Sequence, residues 1–300
     1  MKRRVVLHGP SSLSISLPSV WVKQFSVHKG DEVDVSQQGP SLVVNPPSDG
    51  KSVKTKEVSF VGLSDDTAKN LLYALHRRGY DEIKLHHDSS QIERMIHKFL
   101  HEMHFGYEII KQTESYTTIR NVSIPEKNQF DNLVRRLFLI TIEYAEKIYE
   151  ILSSPDDEVT QTHLLHKASI DRIANFCQRI IAETAAELDT PFRFAVVVIT
   201  TSIADELERL NKYALEKKPE DLEPFLKTTR EVIDLFKRTY DLFYNFSLEN
   251  YDDLLTASTQ VIGALEDEMK KDTSNGHWFY LHYTYKRIND LSLHILSLYV

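Results

Sequence analysis

Met1-Lys-Arg-Arg-Val-Val-Leu-His-Gly9, Ser14-Ile-Ser-Leu-Pro18, Trp21, Lys29-Gly-Asp-Glu-Val33 and Ser41-Leu-Val-Val-Asn-Pro46 are the landmarks that decide how this chain is read. Short apolar runs alternate around Gly, Pro and Ser, the pattern of brief strands joined by tight turns. Leu17-Pro18 closes a strand, and Trp21 begins a short turn of helix. Val33 and Val35 share one strand face, and the Gln38-Gly39-Pro40 turn leads to a last strand at Leu42-Val-Val44. About 45 residues with so few core candidates fall short of what an independent domain buries, so dimerisation is the expected remedy.

The same segment is basic. Residues 1–30 carry Lys2, Arg3, Arg4, Lys23 and Lys29 and no acid, a charge of +5. Residues 121–300 carry 20 basic and 30 acidic residues, a charge of −10, in a chain whose net charge is −8. Such asymmetry points one end toward a polyanion and leaves the other solvated.

The remaining composition narrows the class. At 300 residues, 41% hydrophobic and 27% charged, the chain reads as a globular protein of about two domains or more. The longest apolar run, Phe194 to Ile199, is six residues, far from the roughly 20 of a membrane span, and no signal-peptide core follows the basic N-terminus. A cytoplasmic protein without membrane insertion is expected. Cys177 is the single cysteine, which excludes an intrachain disulfide and a Cys-based zinc site, and its apolar neighbours suit a buried thiol.

Glycine and proline divide the chain further. Seven of the nine glycines lie between Gly9 and Gly106, and none lies between Gly106 and Gly263, as long uninterrupted helices require. Asn45-Pro-Pro-Ser-Asp-Gly50 reads as a linker. Residues 54–122 alternate as a small α/β domain: a strand at Val58–Val61, a helix from Ser64 to Arg78, a strand at Glu82–Leu85, a helix from Ser90 to His104, then strands at Tyr107–Lys111 and Thr117–Val122. Gly79 and Gly106 sit where left-handed C-caps belong. Pro125, Pro155, Pro191 and Pro219 punctuate six helices, at 126–153, 156–189, 191–217, 220–247, 250–271 and 277–299. Phe194-Ala-Val-Val-Val-Ile199 is strand-like in composition, but Ile203, Leu207, Leu210 and Ala214 continue a helical period through it. Three helices followed by three of similar length suggest a duplication into two three-helix bundles, at about 125–217 and 219–300.

Residues 1–46 resemble the SpoVT/AbrB DNA-binding domain, an interlaced swapped-hairpin β-dimer, in its variant with a Leu-Pro-x-x-Trp stretch and a Lys-Gly-Asp-Glu-Val turn. The resemblance implies DNA contacts from Lys2, Arg3, Arg4 and Lys23, with His8 and Lys29 at the margin. This chain departs from that family in carrying no cation between Gly9 and Ser16. The alternative is a dimerisation module with a solvated basic tail.

Residues 125–300 resemble the PhoU family of phosphate-signalling proteins. There the third helix of each half carries Glu-Arg-x-x-Asp, whose carboxylates help bind metal. The matching stretches here are Glu208-Arg-Leu-Asn-Lys212 and Lys286-Arg-Ile-Asn-Asp290, so each keeps one carboxylate and replaces the other by lysine. The resemblance implies a divalent metal ion at Glu208 and Asp290, with Asp171 and Asp253 as added ligands. The alternative is a solvated face with pairs four residues apart. Separately, His97, His101 and His104 share one helix face at spacings that a zinc or nickel ion could use, or serve only as polar surface.

The chain shows no Gly-rich phosphate loop, nucleophile elbow or His-Glu-x-x-His pattern, and an enzyme is not expected. The whole is read as a multidomain α+β protein resembling archaeal phosphate-uptake regulators: a homodimeric DNA-binding transcriptional regulator. The alternative is a phosphate-signalling adaptor that docks on a phosphate transporter or histidine kinase without binding DNA.

Overall fold

A computed structural model describes residues 2–38, 40–45, 53–103, 106–122, 129–154, 157–183, 189–217, 222–271 and 276–300. The chain divides into two compact units, Met1–Lys54 and Thr55–Val300.

In the first unit, β1 (Val6–His8) and β2 (Ser12–Ser14) form an antiparallel hairpin in which Leu7 faces Leu13. The turn passes through Gly9 at φ +74, a left-handed conformation that glycine adopts without a Cβ penalty. Pro18 starts a single helical stretch, α1 (Ser19–Gln24), whose Trp21 ring lies 5.3 Å from that of Phe25. The Lys29-Gly-Asp turn is built on a hydrogen bond from the His28 amide to Asp31 Oδ2, 2.7 Å, with Gly30 at φ +100. β3 (Asp34–Gln38) and β4 (Ser41–Asn45) then form a second antiparallel hairpin with Val35 opposite Val44.

The second unit begins with β5 (Thr55–Ser59), α2 (Asp65–Arg77), β6 (Glu82–His86), α3 (Ser90–Met103), β7 (Tyr107–Gln112) and β8 (Tyr116–Asn121). The strands make one sheet in the order β5-β6-β8-β7, parallel between β5 and β6 and antiparallel elsewhere. The first strand begins three residues before the expected Val58, because Thr55 to Ser59 pair with Glu82 to His86. Ser64 caps α2 by accepting the Thr67 amide at 3.3 Å, and Gly79 closes it at φ +72, as the capping pattern predicts. Phe60, Leu72, Ile83, Leu85, Ile96 and Ile119 make the core of this layer.

Six long helices follow: α4 (Phe130–Ser153), α5 (Asp157–Glu183), α6 (Thr190–Glu216), α7 (Leu222–Tyr244), α8 (Leu248–Lys271) and α9 (Gly276–Tyr299). Pro191 stands in the first turn of α6, where its missing amide costs nothing; Pro125, Pro155 and Pro219 lie outside the described residues. The strand-like run in α6 is helical. Thr200, Thr201 and Ser202 each return a hydroxyl to the carbonyl four residues back, at 2.8–2.9 Å, which satisfies them inside the helix. Helix α7 ends before the expected 247 because Ser247 caps α8, accepting the Asn250 amide at 3.0 Å. Helices α4, α5 and α6 pack together, as do α7, α8 and α9, and the two sets join through α6 with α9 and α4 with α7. One hydrophobic core, including Leu137, Phe138, Ile203, Phe236, Leu281 and Ile288, runs through all six. No described helix is long and apolar enough to cross a membrane.

The α/β layer and the helices meet at α5. Phe176 packs on the core of the layer, and Arg179, only 2% exposed, reaches into it.

Candidate functional site

The five cations of the first unit and His8 are placed by its turns and ends. Lys2, Arg3 and Arg4 precede β1, His8 ends it, Lys23 lies in the last turn of α1, and Lys29 stands in the Asp31 turn. All six are exposed, and among the described residues none of them pairs with a carboxylate. Their charge is therefore available to a polyanion, whose counterion release would make binding salt-dependent. Among the residues of 2–45 whose burial is described, none is buried: Val5, Val6, Leu7, Leu13, Ile15, Val20, Val35 and Leu42 are all 53–72% exposed.

In the helical body the carboxylates expected on the metal face separate into two situations. Asp171 on α5 and Glu208 on α6 do come to one place, and the structure adds Asp205 and, from α4, the Tyr144 hydroxyl. Burial first, then the negative charges of Glu208, Asp171 and Asp205, push that hydroxyl well above the ordinary tyrosine value. A cation already occupies the cluster. Lys167 Nζ lies 2.6 and 2.7 Å from the two oxygens of Asp171 and 3.0 Å from Asp205 Oδ1, with its side chain 13% exposed. Burial works against the Lys167 ammonium, but Asp171 and Asp205 outweigh it and hold its pKa above the usual lysine value. Asp171 also moves up, through burial and through Asp205 and Glu208, with Lys167 opposing. The two upward shifts have different causes: two carboxylates outweigh burial at the ammonium, whereas burial, helped by the neighbouring acids, outweighs the single ammonium at Asp171. Glu208 is paired with Lys212 at 2.7 Å, as its spacing predicts.

The second half differs. Asp290 faces Arg287 at 3.7 Å rather than Lys286. Asp253 lines a cleft of about 250 Å³ at the α7–α8 turn with Arg238, Asp241, Asn245 and Asn250. Where the α8 and α9 faces meet, Ser258 Oγ lies 2.9 Å from the Tyr285 hydroxyl and donates to Asn289 Oδ1 at 3.5 Å, a neutral set. The candidate carboxylates are thus held by lysine in one half, and in the other Asp290 faces Arg287 while Asp253 lies in a different cleft, so the residues present do not fit a metal. Among the described residues no group of three or more His, Cys, Asp or Glu side chains is arranged to hold one. On α3, His97 Nε2 hydrogen-bonds Gln112 Oε1 at 3.2 Å, and Gln112 in turn donates to Glu93. His101 is exposed, and His104 lies outside the described residues.

The residue that sequence reasoning missed is Arg179. Its guanidinium donates to Asp81 Oδ1 at 2.8 Å, to the Tyr80 carbonyl at 2.9 Å and to the Tyr107 hydroxyl at 3.3 Å. Glu183 Oε1, one turn further along α5, is 3.2 Å from Nε. A charged residue inside the apolar stripe of Phe176 and Ile180 is the signal that could have found it. Scans against protein-family models, curated proteins and solved structures match nothing to this chain.

Proposed function

We propose that the chain is a DNA-binding transcriptional regulator of phosphate uptake, dimeric through its N-terminal unit, with the helical body as its sensory or partner-binding part. The observation that carries this reading is the pairing, in one small unit, of exposed cations that meet no carboxylate among the described residues with an apolar surface that the chain itself leaves uncovered. Two isolated hairpins are marginal in water, and a second copy supplies the missing layer. The dimer doubles the cations and gives them a two-fold arrangement. The resemblance of residues 1–46 to the SpoVT/AbrB domain and of 125–300 to PhoU proteins supports the same assignment, and with it a cytoplasmic location. The metal implied by the second resemblance forms no part of it.

The test is binding to DNA fragments from phosphate-transport promoters over a salt series. The parent should show a steep negative slope of log affinity against log salt. Lys2→Ala/Arg3→Ala/Arg4→Ala should shallow it by about 0.9 for each phosphate that is no longer neutralised. A parent that binds no DNA supports the second reading, an adaptor docking on a phosphate transporter or histidine kinase.

A further inference from the structure

The cluster on the first half of the body combines three acids, a tyrosine hydroxyl and the enclosed Lys167 from three different helices, with the exposed Lys212 paired to Glu208 at its edge. Lys167 and Asp171 are one turn apart on α5, so their pairing alone would be ordinary helix chemistry. Asp205 makes it more than that, because it comes from α6 and meets the same ammonium at 3.0 Å. The nitrogen is therefore shared by carboxylates of two helices, and Lys167 is more enclosed (13% exposed) than either Asp171 (35%) or Asp205 (45%). Oxygen-ligated divalent ions sit at about 2.0–2.6 Å from such carboxylates. An ammonium already within hydrogen-bond distance of both occupies the place between them that a second cation would need.

We propose that Lys167 is the resident cation of this cluster: its ammonium stands where a divalent metal would otherwise bridge α5 and α6, and makes this half of the body independent of metal. The second half carries no comparable demand, since Ser258, Tyr285 and Asn289 are neutral. Removing the lysine leaves Asp171 and Asp205 facing one another without their cation, a pair that a hard, oxygen-preferring divalent ion can bridge with water completing its shell.

The test uses the full chain in metal-free buffer, with Mn2+ as the probe, read by calorimetric titration and thermal melting; neither readout depends on DNA. The parent and Lys167→Arg, which keeps the charge, should bind no Mn2+ at this cluster and melt at the same temperature with and without it. Lys167→Ala should bind one equivalent and gain roughly 5–10 °C in Tm at a hundredfold excess over Kd. Adding Asp171→Asn to Lys167→Ala should abolish both. The proposal is overturned if the parent binds an equivalent of Mn2+ that Asp171→Asn removes, or if folded Lys167→Ala binds none. A Lys167→Ala chain that folds only with Mn2+ supports it; one that Mn2+ does not restore overturns it.

Discussion

The N-terminal unit and the unit that follows it treat their apolar residues in opposite ways. In residues 2–45 the alternation of apolar and polar side chains gives each hairpin an apolar face, yet Leu7, Leu13, Val35 and Leu42 remain 57–71% exposed. In residues 55–300 the same kinds of side chain are enclosed, first between a sheet and its helices and then among six helices. The difference lies in layers. A two-stranded hairpin has no second surface to close on, whereas a helix with an apolar stripe finds one in its neighbour. Burial in the second unit is deep enough to enclose charge, and Arg179 and Lys167 both exploit it.

Breaking that enclosure should have the largest effect. Arg179→Met leaves Asp81 and Glu183 without their cation and the Tyr80 carbonyl with the Tyr107 hydroxyl as its remaining side-chain donor. A loss of about 3 kcal/mol is expected in urea unfolding, at the low end for a broken buried pair because both acids stay partly solvated. Next comes His76, which is fully buried beside Arg179. Burial, then the charges of Arg179 and Arg77, push its pKa down from 6.5 to about 3. The unfolded chain therefore takes up a proton below pH 6.5 that the folded chain refuses. Stability is complete above that pH and falls as the pH drops toward 3, by up to about 1.4 kcal/mol per pH unit. His76→Gln should flatten this acid limb when urea midpoints are compared at pH 7 and pH 5.

A smaller effect is expected at Gly276, the first residue of α9. A Cβ there would lie 2.6 Å from Cζ of Tyr213, whose hydroxyl accepts the Gly276 amide at 3.3 Å. Gly276→Ala should lower stability by about 1–2 kcal/mol, and Tyr213→Ala in the same chain should remove the additional loss. The smallest effect sharpens the comparison from the other side. Leu13→Ser and Val35→Ser should shift the main melting transition by no more than about 0.5 kcal/mol. The same changes should weaken dimerisation about tenfold or more in sedimentation equilibrium, if the exposed faces meet a second copy.

The helices and strands are legible because their punctuation is chemical. Ser64, Gly79, Gly106 and Pro191 mark ends by hydrogen bonds and backbone angles that can be inferred without neighbours. Even the strand-like run of α6 is readable from Ile203, Leu207 and Leu210, although the hydroxyl bonds that accommodate it show only in the folded helix. The candidate sites are legible only where partners are close in sequence, as with Glu208 and Lys212. Asp205 meeting Lys167, and Asp81 meeting Arg179, each join different elements, and no spacing along the chain encodes them. The apolar stripe of α5 marks Arg179 as out of place, but only the packed structure shows what satisfies it.

Arg179 also sets an order of events during synthesis. Its partners Tyr80 and Asp81 leave the ribosome about a hundred residues before it does. The α/β layer therefore emerges before Arg179 and Phe176 can close it, with the Tyr107 hydroxyl as the side-chain donor to the Tyr80 carbonyl. A nascent chain that has released residues 55–122 but not α5 would display a sheet and two helices still lacking their closing residues.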